Sequence, residues 1–377
     1  MNYFKIIDEV FSEYKGPKFS IELWDGKKRW YGKKIAAHFG LIIKDPITVK
    51  KIIAQGSIGF GESFMDGTFD VEGDIEEYLR LRHQFKKVKF SLRLAIAKII
   101  SSYNIPKDRK NQIAYHYDLG NDFFSLLLDK KTMSYSAGLF KQKKDTLDQS
   151  QQNKLDLLAR WIPLPANASI LDIGSGWGGF AINAAKKYKW KITGITLSKK
   201  QLQFCNQLIS KQQLKKLISF NYQDLFSIDT SKKYDAVIMI EALEHVGKKN
   251  LDSFFKNIHT ITKPNGLFIL QFTGRYKPKR VDRWTLKYVF PGGYLPTKDE
   301  VITAAQNAGF KVEEVNDDTT DYIKTMTIWI KNLKTNKNKI INKFDLRFYR
   351  LWYLWTHGAK VNFELNEMSL FRMRLKK

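Results

Sequence analysis

Apolar residues are spaced along this chain in two different ways. From about residue 113 onward, four short apolar runs are separated by helical stretches: ASILDIG (168–174), KITGITL (191–197), YDAVIMIEAL (234–243) and GLFILQF (266–272). Runs this short and this uniformly apolar predict strands buried on both faces, and their alternation with helices predicts a parallel sheet with crossover helices. Earlier, FSIELWDG and ITVKKIIAQGSIGFG read as short strand-like pieces between glycine turns at Gly26, Gly56, Gly59, Gly61, Gly67 and Gly73. GESFMDGTFDVEGD reads as turn-rich, and DIEEYLRLRHQ as a helix capped by Asp74. In 84–103, Phe85, Val88, Leu92, Ala95, Ile96 and Ile99 recur at helical spacing among Lys86, Lys87, Lys89, Arg93 and Lys98. Such a helix either lies on a membrane surface or packs its stripe on the next domain. The stretch around Pro106 reads as a linker, and FDLRFYRLWYLWTHG (344–358) as an aromatic-rich helix forming a lid or pocket wall. The expected organisation is a small α+β domain over 1–100, a linker over 101–112, and a doubly wound, mainly parallel α/β domain over 113–377.

Composition narrows the class. With 43% hydrophobic and 14% aromatic residues, 377 residues can bury a sizeable core, which excludes a disordered chain. A single cysteine, Cys205, excludes a disulfide scaffold and a cysteine-rich metal site, and points to a reducing compartment. The opening MNYFKIIDEVF carries acids, unlike a signal peptide, and no run approaches bilayer-spanning length, so a soluble protein is expected. Lys and Arg outnumber Asp and Glu by 64 to 38, a net charge of +26. That surface attracts nucleic acid or an anionic membrane face, or merely confers solubility.

The chemistry concentrates in ILDIGSGWGGFAINAAKKY (170–188). A strand ends at Asp172, and Gly174, Gly176, Gly178 and Gly179 turn the chain into a helix, so the backbone can approach a ligand at the strand's carboxyl end. The acid ahead of the glycines suits a cofactor with a charged amino-acid tail better than a pyrophosphate. The pattern resembles the first motif of S-adenosylmethionine-dependent methyltransferases of class I. After the second strand, Thr196, Leu197, Ser198 and Gln201 offer hydroxyl and amide groups to a ribose or methionine moiety, and Gln223 with Asp224 in YQDLF suits an adenine amino group.

A closer resemblance rests on HYDLGNDFF (116–124), MSYS (133–136), the glycine turn, EHVG (244–247), YVFPGGYLP (288–296) and YIKTMTIW (322–329). In this order they resemble the motif set of cyclopropane-fatty-acyl-phospholipid synthases, and FGESFMDG (60–67) resembles that family's N-terminal lipid-binding domain. The resemblance implies methylene transfer from S-adenosylmethionine to the cis double bond of unsaturated phospholipid acyl chains, with bound bicarbonate as base. It further implies a homodimer, cytoplasmic and peripheral on the inner face of an anionic membrane, with no nucleic-acid partner and no metal. Carried over by residue, it makes Glu244 the carboxylate that orients bicarbonate and Tyr322 the hydroxyl that holds it, with Tyr135, Ser136 and the turn 171–179, including Ser175, at the cofactor. Trp284, Tyr294, Tyr322, Trp329, Phe348, Trp352 and Tyr353 are candidates for stabilising a carbocation through their ring faces.

The chain departs from the family pattern at three positions. Gln271 replaces the usual histidine, Ala137 the cysteine after Tyr-Ser, and His357 the cysteine of the C-terminal aromatic helix. Gln271 donates to an anion but does not titrate, and Ala137 offers only its backbone N–H. The departures leave open a lipid C-methyltransferase giving methyl-branched or methylene chains. A small-molecule methyltransferase, an RNA enzyme and a non-catalytic lipid-binding protein are the remaining alternatives.

Overall fold

The computed structural model describes residues 14–33, 39–84 and 120–377, with Phe4, Ile7, Asp8 and Phe11 ahead of them. All of the basic stretch 84–103 except Gln84, the linker 101–112 and Tyr117 lie outside the described residues. The chain divides into two units. One comprises Met1–Ile105, Asp282–Val289 and Leu333–Val361; the other Pro106–Val281, Phe290–Asn332 and Asn362–Lys377.

The first unit carries a four-stranded sheet of β1 (Phe19–Glu22), β2 (Lys28–Tyr31), β3 (Phe39–Ile43) and β4 (Phe69–Gly73) in the order β2-β1-β3-β4. Its core is aromatic: Phe19 stacks on Phe39 with ring centroids 5.2 Å apart, and Phe60 meets Phe69 edge-on at the same separation. The strand reading of ITVKKIIAQGSIGFG is corrected, because Pro46–Gln55 and Ser57–Asp66 are helices. The β-branched Ile47, Thr48 and Val49 favour a strand, but Asp45 caps the Thr48 N–H and Pro46 fixes the first helical φ, and these local signals prevail. The GESFMD half of the turn-rich stretch is likewise helical. Asp74 does cap its helix, accepting from the Glu76 and Glu77 N–H groups.

The second unit is built on β5 (Ser169–Ile173), β6 (Lys191–Thr196), β7 (Ile218–Tyr222), β8 (Tyr234–Ile240), β9 (Thr262–Gly274), β10 (Lys311–Asp317) and β11 (Ser369–Lys376). Their order is β10-β11-β9-β8-β5-β6-β7, parallel from β7 to β9, with β11 antiparallel to both its neighbours. Side chains alternate between two cores. Leu171, Ile173, Val237, Met239, Phe268 and Leu270 enter one, while Ile170, Ile192, Ala236, Ile238 and Ile269 enter the other. Both faces are thus covered, which explains the unbroken apolar runs. The strand order reverses beside β5, and such a switch point opens a crevice at the carboxyl ends of the strands. Register then assembles a site: Ile240 of β8 pairs with Gln271 of β9, and Gln271 pairs with Arg372 of β11.

Candidate active site: a glycine-turn crevice and a clamped carboxylate

The chain leaves β5 through the glycine turn. Gly176 and Gly178 have φ of 54° and 78°, left-handed values that glycine adopts without strain. A Cβ on Gly178 would also lie 2.9 Å from the Phe220 ring, whereas one on Gly176 would meet nothing within 4 Å. The turn borders a crevice at the carboxyl ends of the strands. Tyr135, Ser136, Asp172, Gly174, Ser175, Gly176, Gly179, Thr196, Leu197, Ser198, Gln201 and Gln223 line it. Gly178 and Asp224 flank that lining, and the Asp224 carboxylate accepts from the Phe226 N–H. At the start of the helix Lys199–Lys211, the Thr196 hydroxyl donates to Gln201 Oε1 at 2.9 Å and the Ser198 hydroxyl caps the Gln201 N–H.

Two charged groups sit deep beside the turn. Lys154 is 1% exposed, donates to the Ser136 hydroxyl at 2.8 Å, and is pushed down to about 8 by burial. Asp172 is 2% exposed and is pushed up to about 7 by burial, against the pull of Lys154. Its Oδ2 is buried without a hydrogen-bond partner. A buried carboxylate oxygen without a partner, on a residue that lines the crevice, suits a cationic ligand group, which would restore its charge. Together with the open space at Gly176, it makes these residues fit S-adenosylmethionine.

At the end of β8 the structure brings together a set of groups that the sequence reading did not. Glu241, which the sequence reading left inside an apolar strand, accepts from the Ala137 N–H at 2.8 Å, Gln271 Nε2 at 2.7 Å and the Tyr322 hydroxyl at 2.7 Å. Arg372, fully buried, donates through Nε to Gln271 Oε1 at 2.7 Å, so the amide must turn its NH2 toward Glu241. The same guanidinium donates to the Gly138 carbonyl at 2.8 Å and to the Asp318 carboxylate. Glu241 has φ of 50°, a left-handed conformation that costs a side-chain-bearing residue about 1 kcal/mol or more. Its three donors hold it there. It also lines the crevice.

Glu244 stands beside this clamp, close enough to feel the charge of Glu241. Its Oε1 accepts from the Thr273 N–H, its Oε2 is buried without a partner, and neither oxygen meets Tyr322. Burial, then the nearby charge of Glu241, pushes Glu244 up to about 8. Burial also raises Glu241, but its three donors and Lys154 favour its anion. Three donors on Glu241 against one on Glu244 favour the anion at Glu241 and the acid at Glu244. Bicarbonate does not fit this arrangement: Ala137 N–H, Gln271 and Tyr322 already serve Glu241, whose charge would repel a second anion.

The aromatic candidates divide between the units. Tyr135 stacks on Trp329 at 5.3 Å, and Tyr322 meets Trp329 edge-on at 6.2 Å, all within the second unit. Tyr294, in that unit too, donates its hydroxyl to Glu300. Trp284, Phe348, Trp352 and Tyr353 belong to the first unit, as does His357, whose Nδ1 lies 2.7 Å from Glu76. Among the described residues, no cluster of three or more His, Cys, Asp or Glu could hold a metal ion, and no helix is long and apolar enough to cross a membrane.

Comparison with known proteins decides the family. The profile described as "Mycolic acid cyclopropane synthetase" matches residues 105–373. The chain belongs to the mycolic acid cyclopropane synthetase family. It is an S-adenosylmethionine-dependent methyltransferase, with the sheet of the class I enzymes. A second profile, a domain of unknown function, matches residues 6–92. The chain is 30% identical to the cyclopropane-fatty-acyl-phospholipid synthase of Escherichia coli strain K12, covering 88% of this chain and 86% of that one. It is 29% identical to a probable fatty acid methyltransferase of Pseudomonas putida, over 94% and 90% of the two chains. Among solved structures, mycolic acid cyclopropane synthase complexed with SAH and CTAB superposes with a TM-score of 0.68 at 28% identity, covering 72% of this chain and 99% of that one.

Proposed function

We propose that this chain transfers a methylene group from S-adenosylmethionine to the cis double bond of an unsaturated phospholipid acyl chain, forming a cyclopropane fatty acid. The observation that carries this reading is a clamped carboxylate opening onto the glycine-turn crevice, in a unit where Tyr322, Trp329 and Tyr135 pack ring against ring. An alkene is a weak nucleophile, and its methylation leaves a cation on the acyl chain. Ring faces stabilise that cation, and the carboxylate removes a proton.

S-adenosylmethionine supplies an electrophilic methyl group. Asp172 and the backbone of Gly174–Gly179 bind its amino-acid end, Thr196, Ser198 and Gln201 its middle portion, and Gln223 with Asp224 its adenine. Tyr135, stacked on Trp329, holds the wall rigid and excludes water from the reacting carbon. A second reading, lipid methylation without ring closure, is favoured by Gln271, which cannot take up the proton as a histidine would, and by the fatty acid methyltransferase among the relatives.

The approach to lipid is assigned to the first unit, at the inner face of the membrane. Trp30 is 52% exposed, and the Lys18 and Lys28 ammonium groups lie 4.7 and 5.6 Å from its ring centre. An exposed tryptophan flanked by lysines suits an anionic interface.

The test incubates the protein with methyl-radiolabelled S-adenosylmethionine and mixed anionic and zwitterionic vesicles. Label is expected in the acyl chains of cis-monounsaturated vesicles, absent from saturated ones, and reduced at high salt. Label confined to headgroups or small molecules would contradict the reading.

A further inference from the structure

The donors that the sequence assigns to a bound bicarbonate ion converge on a side chain of the protein itself. Bicarbonate and a glutamate carboxylate present the same planar pair of oxygens, and the clamp described above is built around such a pair. Glu241 Oε1 accepts from Ala137 N–H and Gln271 Nε2, and Oε2 accepts from Tyr322. A carboxylate has about four acceptor positions, so one remains, on Oε2. Glu241 also borders the crevice that the glycine turn lines.

We propose that Glu241 is this chain's built-in base, replacing bicarbonate, and that it takes the proton released after methyl transfer. The inference deepens the lipid reading and takes its substrate from it. In the balanced step, the alkene electron pair forms a bond to the methyl carbon, and the C–S bond breaks with its pair left on sulfur. A C–H bond of the transferred methyl then breaks, its proton goes to Glu241 Oε2, and its electron pair closes the ring onto the cationic carbon. No external base enters. The groups around the carboxylate hold it for this step: Tyr322 and Gln271 as neutral donors, Lys154 as the charge that favours the anion, Arg372 acting through Gln271, and protonated Glu244.

The backbone supplies the test. Glu241 occupies a conformation that favours glycine, so Glu241→Gly removes the carboxylate, relieves the φ of 50° and leaves an oxyanion-sized space among the three donors. The full chain is assayed on cis-monounsaturated vesicles in CO2-free buffer, with and without bicarbonate, and S-adenosylhomocysteine binding checks the fold of each variant. Wild type is expected to turn over equally in both buffers. Glu241→Gly is expected to lose about 10²-fold or more and to recover with bicarbonate, while Glu241→Gln, which keeps the space filled, stays inactive. Thermal melting provides a readout independent of lipid: bicarbonate should stabilise Glu241→Gly and leave wild type unmoved. Wild type that needs bicarbonate, or is stabilised by it, would overturn the proposal, as would a fully active Glu241→Gly in CO2-free buffer. If no protein yields a lipid product, the substrate reading fails, and the melting comparison still decides whether Glu241 occupies the anion's place.

Discussion

Replacing Arg372 with methionine is expected to lower the unfolding free energy by about 3–5 kcal/mol and to disable the carboxylate clamp together. The guanidinium is fully buried on β11 and holds three acceptors: Gln271 Oε1, the Gly138 carbonyl and the Asp318 carboxylate. Methionine fills the volume and donates to none of them, so buried acceptors are left unsatisfied. The Gln271 amide is then free to rotate, and Glu241 loses a donor. Lysine restores charge but not the planar fork that reaches all three, so Arg372→Lys should recover only part of the loss. Urea unfolding with unchanged slope reads the stability, and turnover on vesicles reads the clamp. A methionine variant within about 1 kcal/mol of wild type, which surface substitutions rarely exceed, would show that the clamp carries little energy.

Glu244→Gln is expected to change how stability depends on pH. The folded-state pKa of Glu244, about 8, lies above the ordinary 4.5 of an unfolded chain, so the folded state retains a proton that the unfolded state releases. Its contribution is therefore complete below pH 4.5 and declines as pH rises, until it is lost at about 8. The slope is about 1.4 kcal/mol per pH unit for one proton, a few kcal/mol across the window at most. Asp172, raised to about 7, acts in the same direction, while Lys154, lowered to about 8, acts oppositely and mainly above that pH. Between those limits the glutamine variant, a permanent mimic of the protonated acid, should show a flatter decline than wild type. Melting temperatures at pH 5.5, 6.5 and 7.5 measure it, these being about one unit apart within the window. Parallel curves for the two proteins would contradict the assignment of the proton to Glu244.

Much of the second unit is legible in the sequence because its strands are buried on both faces. β5, β6, β8 and β9 coincide with the four apolar runs, and the glycine turn falls between β5 and its helix. The strand β11 escapes such reading, since SLFRMRLK interrupts its apolar residues with Arg372 and Arg374. Arginine is ordinarily a surface residue, and only the tertiary partners on Gln271, Gly138 and Asp318 justify burying this one. In the first unit, β-branched residues suggested a strand where a cap and a proline start a helix. Glu241 is hidden in the sequence for a related reason: it directly follows the apolar strand β8, three residues before the EHVG motif and that motif's own acid, Glu244. The available signal was a lone acid at the carboxyl end of a buried strand beside the switch point, where ligands bind in folds of this class.

In the proposed mechanism a carboxylate of this chain removes a proton from the carbon transferred to lipid. The most direct test supplies wild-type protein with cis-monounsaturated phospholipid vesicles and S-adenosylmethionine bearing a fully deuterated methyl group, in CO2-free buffer. Mass spectra of the fatty acids are recorded before and after mild catalytic hydrogenation. The expected product carries two deuteriums and no reducible double bond, the mark of a cyclopropane closed after one deuteron has left for Glu241. A product that retains three deuteriums and a reducible double bond would contradict the account, because the proton would then have been taken from the acyl chain and the transferred carbon left as a methyl branch.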